Sequence, residues 1–191
     1  MERLRLRFLT LASGFALLAL LALTVRAQGP NQPNWQSLES ETMQHFQALV
    51  RFETSDPPGN ERPAAEYLRQ ALEKDGIPVK VFALEPNRPN VVARLKGNGK
   101  KRPLLIMAHT DVVNVDAKKW TTPPFGATRN GGYVYGRGTV DDKDNVTAAL
   151  MVMLELKRLN VPLDRDVIFL AEAGEEGSTR VGIQYMVNQH F

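Results

Sequence analysis

The stretch LLIMAHTDVV, residues 104–113, decides how this chain is read. Leu104 to Ala108 are all apolar, which predicts a buried central strand. The run stops abruptly on His109, Thr110 and Asp111, at the strand end where ligand sites collect in open α/β sheets. If the strand persists, its period of two turns His109 and Asp111 the same way. Asp111 can then bond one imidazole nitrogen while the other meets a metal ion. Alone, the motif is weak, and a structural polar pair is the simpler reading.

Working outward, the segment from Val112 to Gly138 is rich in turn residues (Pro123, Pro124, Gly126, Gly131, Gly132) and is long enough to be functional. A helix is predicted from Asp144 to Leu159 on the spacing of Val146, Ala149, Met153 and Leu156. Val167 to Ala171 reads as a second buried strand, and Val181 to Val187 begins a further helix. Upstream, Leu38, Thr42, Phe46, Leu49 and Val50 recur at helical spacing in a helix that ends near Phe52. Turn chemistry fills Thr54 to Asn60, and Pro63 opens a helix carrying Ala65, Leu68 and Leu72 that Gly76 stops. Val79 to Leu84 and Asn90 to Leu95 are β-rich. Strands alternating with helices predict an α/β layered domain, with a mostly parallel central sheet flanked by helices.

Of the 191 residues, 43% are hydrophobic and 24% charged, which is ordinary globular composition and excludes a disordered chain. Arg3, Arg5 and Arg7 precede an apolar run over residues 8–25, and Val25 and Ala27 are small residues before a cleavage point. Residues 1–27 therefore read as a signal peptide cut before Gln28, with a membrane anchor over residues 8–25 as the other reading. Either implies export, to the periplasm or beyond the cell. Residues 28–34 form a polar linker and residues 35–191 the folded domain. With no cysteine, stability rests on the core and not on disulfides. The formal charge of +3 is fully accounted for by Arg3, Arg5, Arg7 and Arg26 against Glu2. The remainder is neutral and has no electrostatic footprint for nucleic acid.

Two further acidic clusters follow strands. Asp141, Asp142 and Asp144 stand directly before a helix, where Asp142 or Asp144 can cap it. Three carboxylates within four residues nonetheless call for a cation, either Lys143 or a metal. Glu175 and Glu176 lie between Gly174 and Gly177, and by themselves fit a solvated acidic turn. A His, an Asp and a Glu pair at successive strand ends would converge on one crevice. That donor set suits zinc or another first-row divalent ion.

In order and spacing, TSDPPGN (54–60), MAHTDVV (107–113), WTTPPF (120–125), YGRGTVDDK (135–143) and AGEEGS (173–178) resemble the M20 family of zinc metallopeptidases. That family includes glutamate carboxypeptidase, aminoacylase, dipeptidase and succinyl-diaminopimelate desuccinylase types. The resemblance covers about residues 35–191. It implies a two-zinc site, with Co2+ or Mn2+ as substitutes, in which His109 binds one ion, Asp141 bridges both and Glu176 binds the other. It makes Glu175 the general base and Asp111 the partner of His109, and implies a cis peptide between Asp141 and Asp142. The substrate implied is a peptide or N-acyl amino acid. Asp144 departs from the small residue usual in the family, at a position that opens a helix. The family's remaining carboxylate and His ligands and its dimerising lid domain would lie beyond Phe191. The chain therefore reads as an N-terminal part with the lid absent, inactive as it stands, and a homodimer is expected only in the full-length form. His45 and His190 read as surface residues. The competing reading is a non-catalytic α/β binding domain derived from the same fold.

Overall fold

The computed structural model of the chain describes residues 32–191. The expected leader, the alternative anchor and most of the polar linker lie outside the described residues. Among those described, no helix is long and apolar enough to cross a membrane.

Helix α1 (Trp35–Arg51) starts where the Asn34 side chain accepts the Ser37 amide. It turns Leu49 and Val50 inward and ends as Phe52 becomes extended. A two-residue strand β1 (Ser55–Asp56) and the turn behind it lead to α2 (Arg62–Lys74), with Pro63 in its first turn. Helix α2 buries Ala64, Ala65, Leu68 and Leu72. It stops at Gly76, whose φ of 69° is left-handed, as helix-terminating glycines often are. Then come β2 (Val79–Phe82), β3 (Asn90–Leu95), β4 (Leu104–His109) and the short β5 (Val112–Val113). The turn-rich stretch that follows contains a hairpin, β6 (Thr128–Asn130) and β7 (Tyr133–Tyr135). Its two-residue turn, Gly131 and Gly132, has positive φ at both positions, as such tight hairpins require. Helix α3 (Lys143–Arg158), β8 (Val167–Glu172) and α4 (Ile183–Gln189) complete the chain.

The central sheet runs β2-β3-β8-β4. The layered α/β class holds, but the sheet is mixed and not mostly parallel: β4 and β8 are parallel, whereas β2–β3 and β3–β8 are antiparallel. The connections explain this. Only β4 and β8 are joined by a crossover long enough to hold a helix, while the link 83–89 between β2 and β3 holds none.

A second expectation also changes. Strand β4 is not central but lies at the edge of the described sheet, leaving Leu104, Leu105 and Met107 at 44%, 40% and 42% exposure. Of the two parallel strands, β8 is the enclosed one. Its Phe169 packs with Leu68, Leu72, Leu150 and Leu154 into a core where each buried large side chain contributes about 1.5–3 kcal/mol.

Candidate metal centre

The end of β4 is pinned from two directions. Thr110 donates its amide and its hydroxyl to the Glu172 carbonyl on β8, each at 2.9 Å. The Thr54 hydroxyl donates to the Thr110 carbonyl at 2.7 Å. His109 is thereby held buried, and its ring has two distinct sides. Nδ1 lies 3.0 Å from the Asp111 carbonyl, an oxygen that can only accept, so Nδ1 carries a proton. Nε2 faces the acidic groups, 3.0 Å from Asp141 Oδ1 and 3.7 Å from Glu175 Oε2.

The carboxylate of Asp111 has a role its spacing did not reveal. It stands 3.5 Å from His109 Nδ1, an ionic contact longer than a good hydrogen bond. Its two oxygens instead accept the amides of Glu175 and Glu176, at 3.1 and 2.9 Å. Fully buried Asp111 thus ties the imidazole to the acidic loop. Asp142 occupies the N-cap position of α3 but makes no side-chain cap bond. It accepts the His109 amide at 3.1 Å and also holds Asn145. The peptide between Asp141 and Asp142 is cis, as the family resemblance implied.

His109, Asp141 and Glu176 each offer one ligand atom, and these atoms lie within 4.8 Å of one another. An imidazole and two carboxylates are a fitting donor set for a divalent first-row ion. Lys143, the other cation available to the acidic cluster, turns away from it. It is 1% exposed, its Nζ donates to the Phe52 carbonyl at 2.6 Å, and burial pushes its pKa down to about 7. Among the described residues it forms no ion pair with Asp141, Asp142 or Asp144. Lys143 therefore does not neutralise the acidic cluster.

Without a metal, His109 keeps its proton. Burial works against the charged ring, but Asp111, through its carboxylate and carbonyl, and the nearby Asp142 outweigh it and push the pKa up to about 10. Burial, then the neighbouring Asp141, holds the Glu176 carboxyl above the ordinary range. Glu172, which the motif reading passed over, is buried beneath the site and has a carboxylate oxygen with no partner among the described residues. Burial pushes it up to about 7. A glutamate ending an apolar strand was the available signal.

Residues 105–191 match the model of peptidase family M20/M25/M40. N-formyl-4-amino-5-aminomethyl-2-methylpyrimidine deformylase of Halalkalibacterium halodurans is 41% identical over 142 residues, 72% of this chain and 33% of that protein. A probable succinyl-diaminopimelate desuccinylase of Staphylococcus aureus is 35% identical over 140 residues, 72% of this chain and 34% of its own length. Among solved structures, an M20 family metallo-carboxypeptidase from Sulfolobus solfataricus superposes with a TM-score of 0.68 at 28% identity, covering 78% of this chain and 34% of that one. The chain thus spans about a third of the length of the curated relatives it matches. On the match over the metal-centre strands, the curated relatives and the shared fold, residues 105–191 of this chain are part of a peptidase family M20/M25/M40 domain.

Proposed function

We propose that this domain is the metal-binding front of a zinc-dependent hydrolase of amide bonds in peptides or N-acyl amino acids. The observation that carries the reading is the convergence of His109, Asp141 and Glu176, with Glu175 beside them. His109 Nε2 and the carboxylates of Asp141 and Glu176 would hold zinc, and Co2+ or Mn2+ would serve in its place. Bound there, the metal supplies Lewis acidity and a water of lowered pKa. Glu175, half exposed at the edge of the cluster, would serve as the general base, taking a proton from the attacking water and returning it to the leaving nitrogen. Asp111 keeps the His109 proton on Nδ1 and so keeps Nε2 directed at the ion. The deformylase and desuccinylase names of the relatives favour removal of a small acyl group from nitrogen within this substrate class. The proposal includes export, supported by the Arg-rich start and the apolar run of residues 8–25.

The test is turnover by a full-length protein carrying this domain on a panel of dipeptides and N-formyl, N-succinyl and N-acyl amino acids. Activity is expected to vanish on chelation and to return with Zn2+, Co2+ or Mn2+. Less metal should be needed at pH 8 than at pH 6, because His109 must release its Nε2 proton to the solvent as the ion binds. Turnover that survives complete metal removal would overturn the reading. Metal binding with no turnover across the panel would favour the non-catalytic binding domain.

A further inference from the structure

The loop from Gly174 to Ser178 carries both Glu175 and Glu176, and Asp111 fixes it from only one side. On the other side lies a buried ionic cluster that none of the chemistry above uses. Asp56 comes from β1, Glu61 from the N-cap of α2 and Arg88 from the link between β2 and β3. The three are 7%, 0% and 4% exposed. Arg88 Nη2 donates to Asp56 Oδ2 at 2.6 Å and to Glu61 Oε1 at 2.7 Å, and its Nε lies 3.1 Å from both Glu61 oxygens.

The acidic loop rests directly on this cluster. A Cβ placed on Gly177 would stand 2.7 Å from Asp56 Oδ2, and one on Gly174 would stand 3.1 Å from Arg88 Nη2. A Cβ on Gly59 would come within 2.2 Å of Arg88 Nε, so the guanidinium is walled in by backbone on that side too. Asn90 closes the base of the loop, accepting the Ala173 amide at 3.1 Å and donating to the Val181 carbonyl at 2.8 Å.

Stability alone does not account for the cluster. Desolvating a guanidinium and two carboxylates costs about as much as their pairing returns, and apolar packing would serve a core at least as well. A rigid fork that fixes two carboxylates in one plane does, however, make a hard floor for the backbone above it.

We propose that Asp56, Glu61 and Arg88 are positioning residues for the Glu175–Glu176 loop, setting the height at which the two glutamates meet His109 and Asp141. The proposal rests on the metal-centre reading only for what the loop is positioned to do; the positioning itself needs no metal.

Two variants of the full chain test it. Gly177→Ala presses a methyl group on Asp56 without removing any charge, and Arg88→Met removes the fork. Amide hydrogen exchange of residues 173–178 is followed in metal-free protein beside that of Phe169 and Leu170 on β8, and Zn2+ affinity is then measured by calorimetry. In both variants the Glu175 and Glu176 amides are expected to exchange at least about tenfold faster while β8 is unchanged. Zn2+ binding is expected to weaken by about tenfold. Exchange that rises equally in β8 and the loop would mark a merely structural cluster and overturn the proposal, as would unchanged loop exchange in Gly177→Ala. If Arg88→Met does not fold, Gly177→Ala decides alone. Loss of loop protection in a chain that binds no Zn2+ even before mutation would support the positioning and overturn the metal reading instead.

Discussion

In a full-length protein carrying this domain, Glu175→Gln is expected to keep its metal and lose turnover by about 10²- to 10⁴-fold, the usual contribution of a general base. An amide cannot take a proton from water, yet it keeps the size of the side chain and leaves the backbone N–H that Asp111 accepts. Glu175 is half exposed and its contact with His109 is a long one of 3.7 Å, so the fold loses little. Glu176→Gln is expected to fail differently. Glu176 supplies one of the three converging ligand atoms, and a neutral amide is a poor replacement for a charged oxygen donor. Metal occupancy falls first in that variant, and activity falls with it. Zinc content and rate measured side by side separate the two; an emptied site in Glu175→Gln with full zinc in Glu176→Gln would exchange the roles.

Asp111→Ala is expected to destabilise the metal-free chain by about 3–5 kcal/mol near pH 6, the cost of leaving a buried charge without its partner. His109 would lose the carboxylate that keeps it charged, and two loop amides would lose their acceptor. The pH dependence has a definite sign. His109 is raised in the fold to about 10, so its contribution is complete below its ordinary value near 6.5 and is lost as pH rises towards 10. Asp111 itself, although burial opposes ionisation, is held below its ordinary 3.8 by His109 and the loop amides, so its contribution is complete above that value and is lost in stronger acid. The gap between parent and variant in denaturant unfolding should therefore be widest between about pH 4 and 6.5 and close on both sides. A gap below about 1 kcal/mol, or one that does not change from pH 4 to 10, would show that Asp111 does not hold His109 in this way.

The site was legible in the sequence to the extent that its parts are short-range. His109 ends an apolar strand, Asp141 stands just before a helix and the Glu175–Glu176 pair follows an apolar strand between two glycines, so local pattern alone marks them, and the described structure brings His109, Asp141 and Glu176 together. The second duty of Asp111 was not legible, because its carboxylate meets amides more than sixty residues further along the chain. Arg88 was missed for the same reason: nothing local distinguishes it from any surface arginine, and its partners lie 27 and 32 residues away. Lys143 was read as a possible counter-ion because it adjoins the aspartates, yet adjacency along a helix start does not fix direction, and its amine reaches the end of α1. In the fold, helix and strand positions followed from period and turn residues. Strand order did not, since an apolar run such as Leu104 to Ala108 looks alike at an edge and at a centre.

The most direct test is crystallographic: anomalous scattering from the chain loaded with Zn2+ or Co2+. The account predicts an ion about 2.0–2.2 Å from His109 Nε2 and from carboxylate oxygens of Asp141 and Glu176. Metal found only at His45 or His190, or none beside His109 under saturating Zn2+, would contradict it.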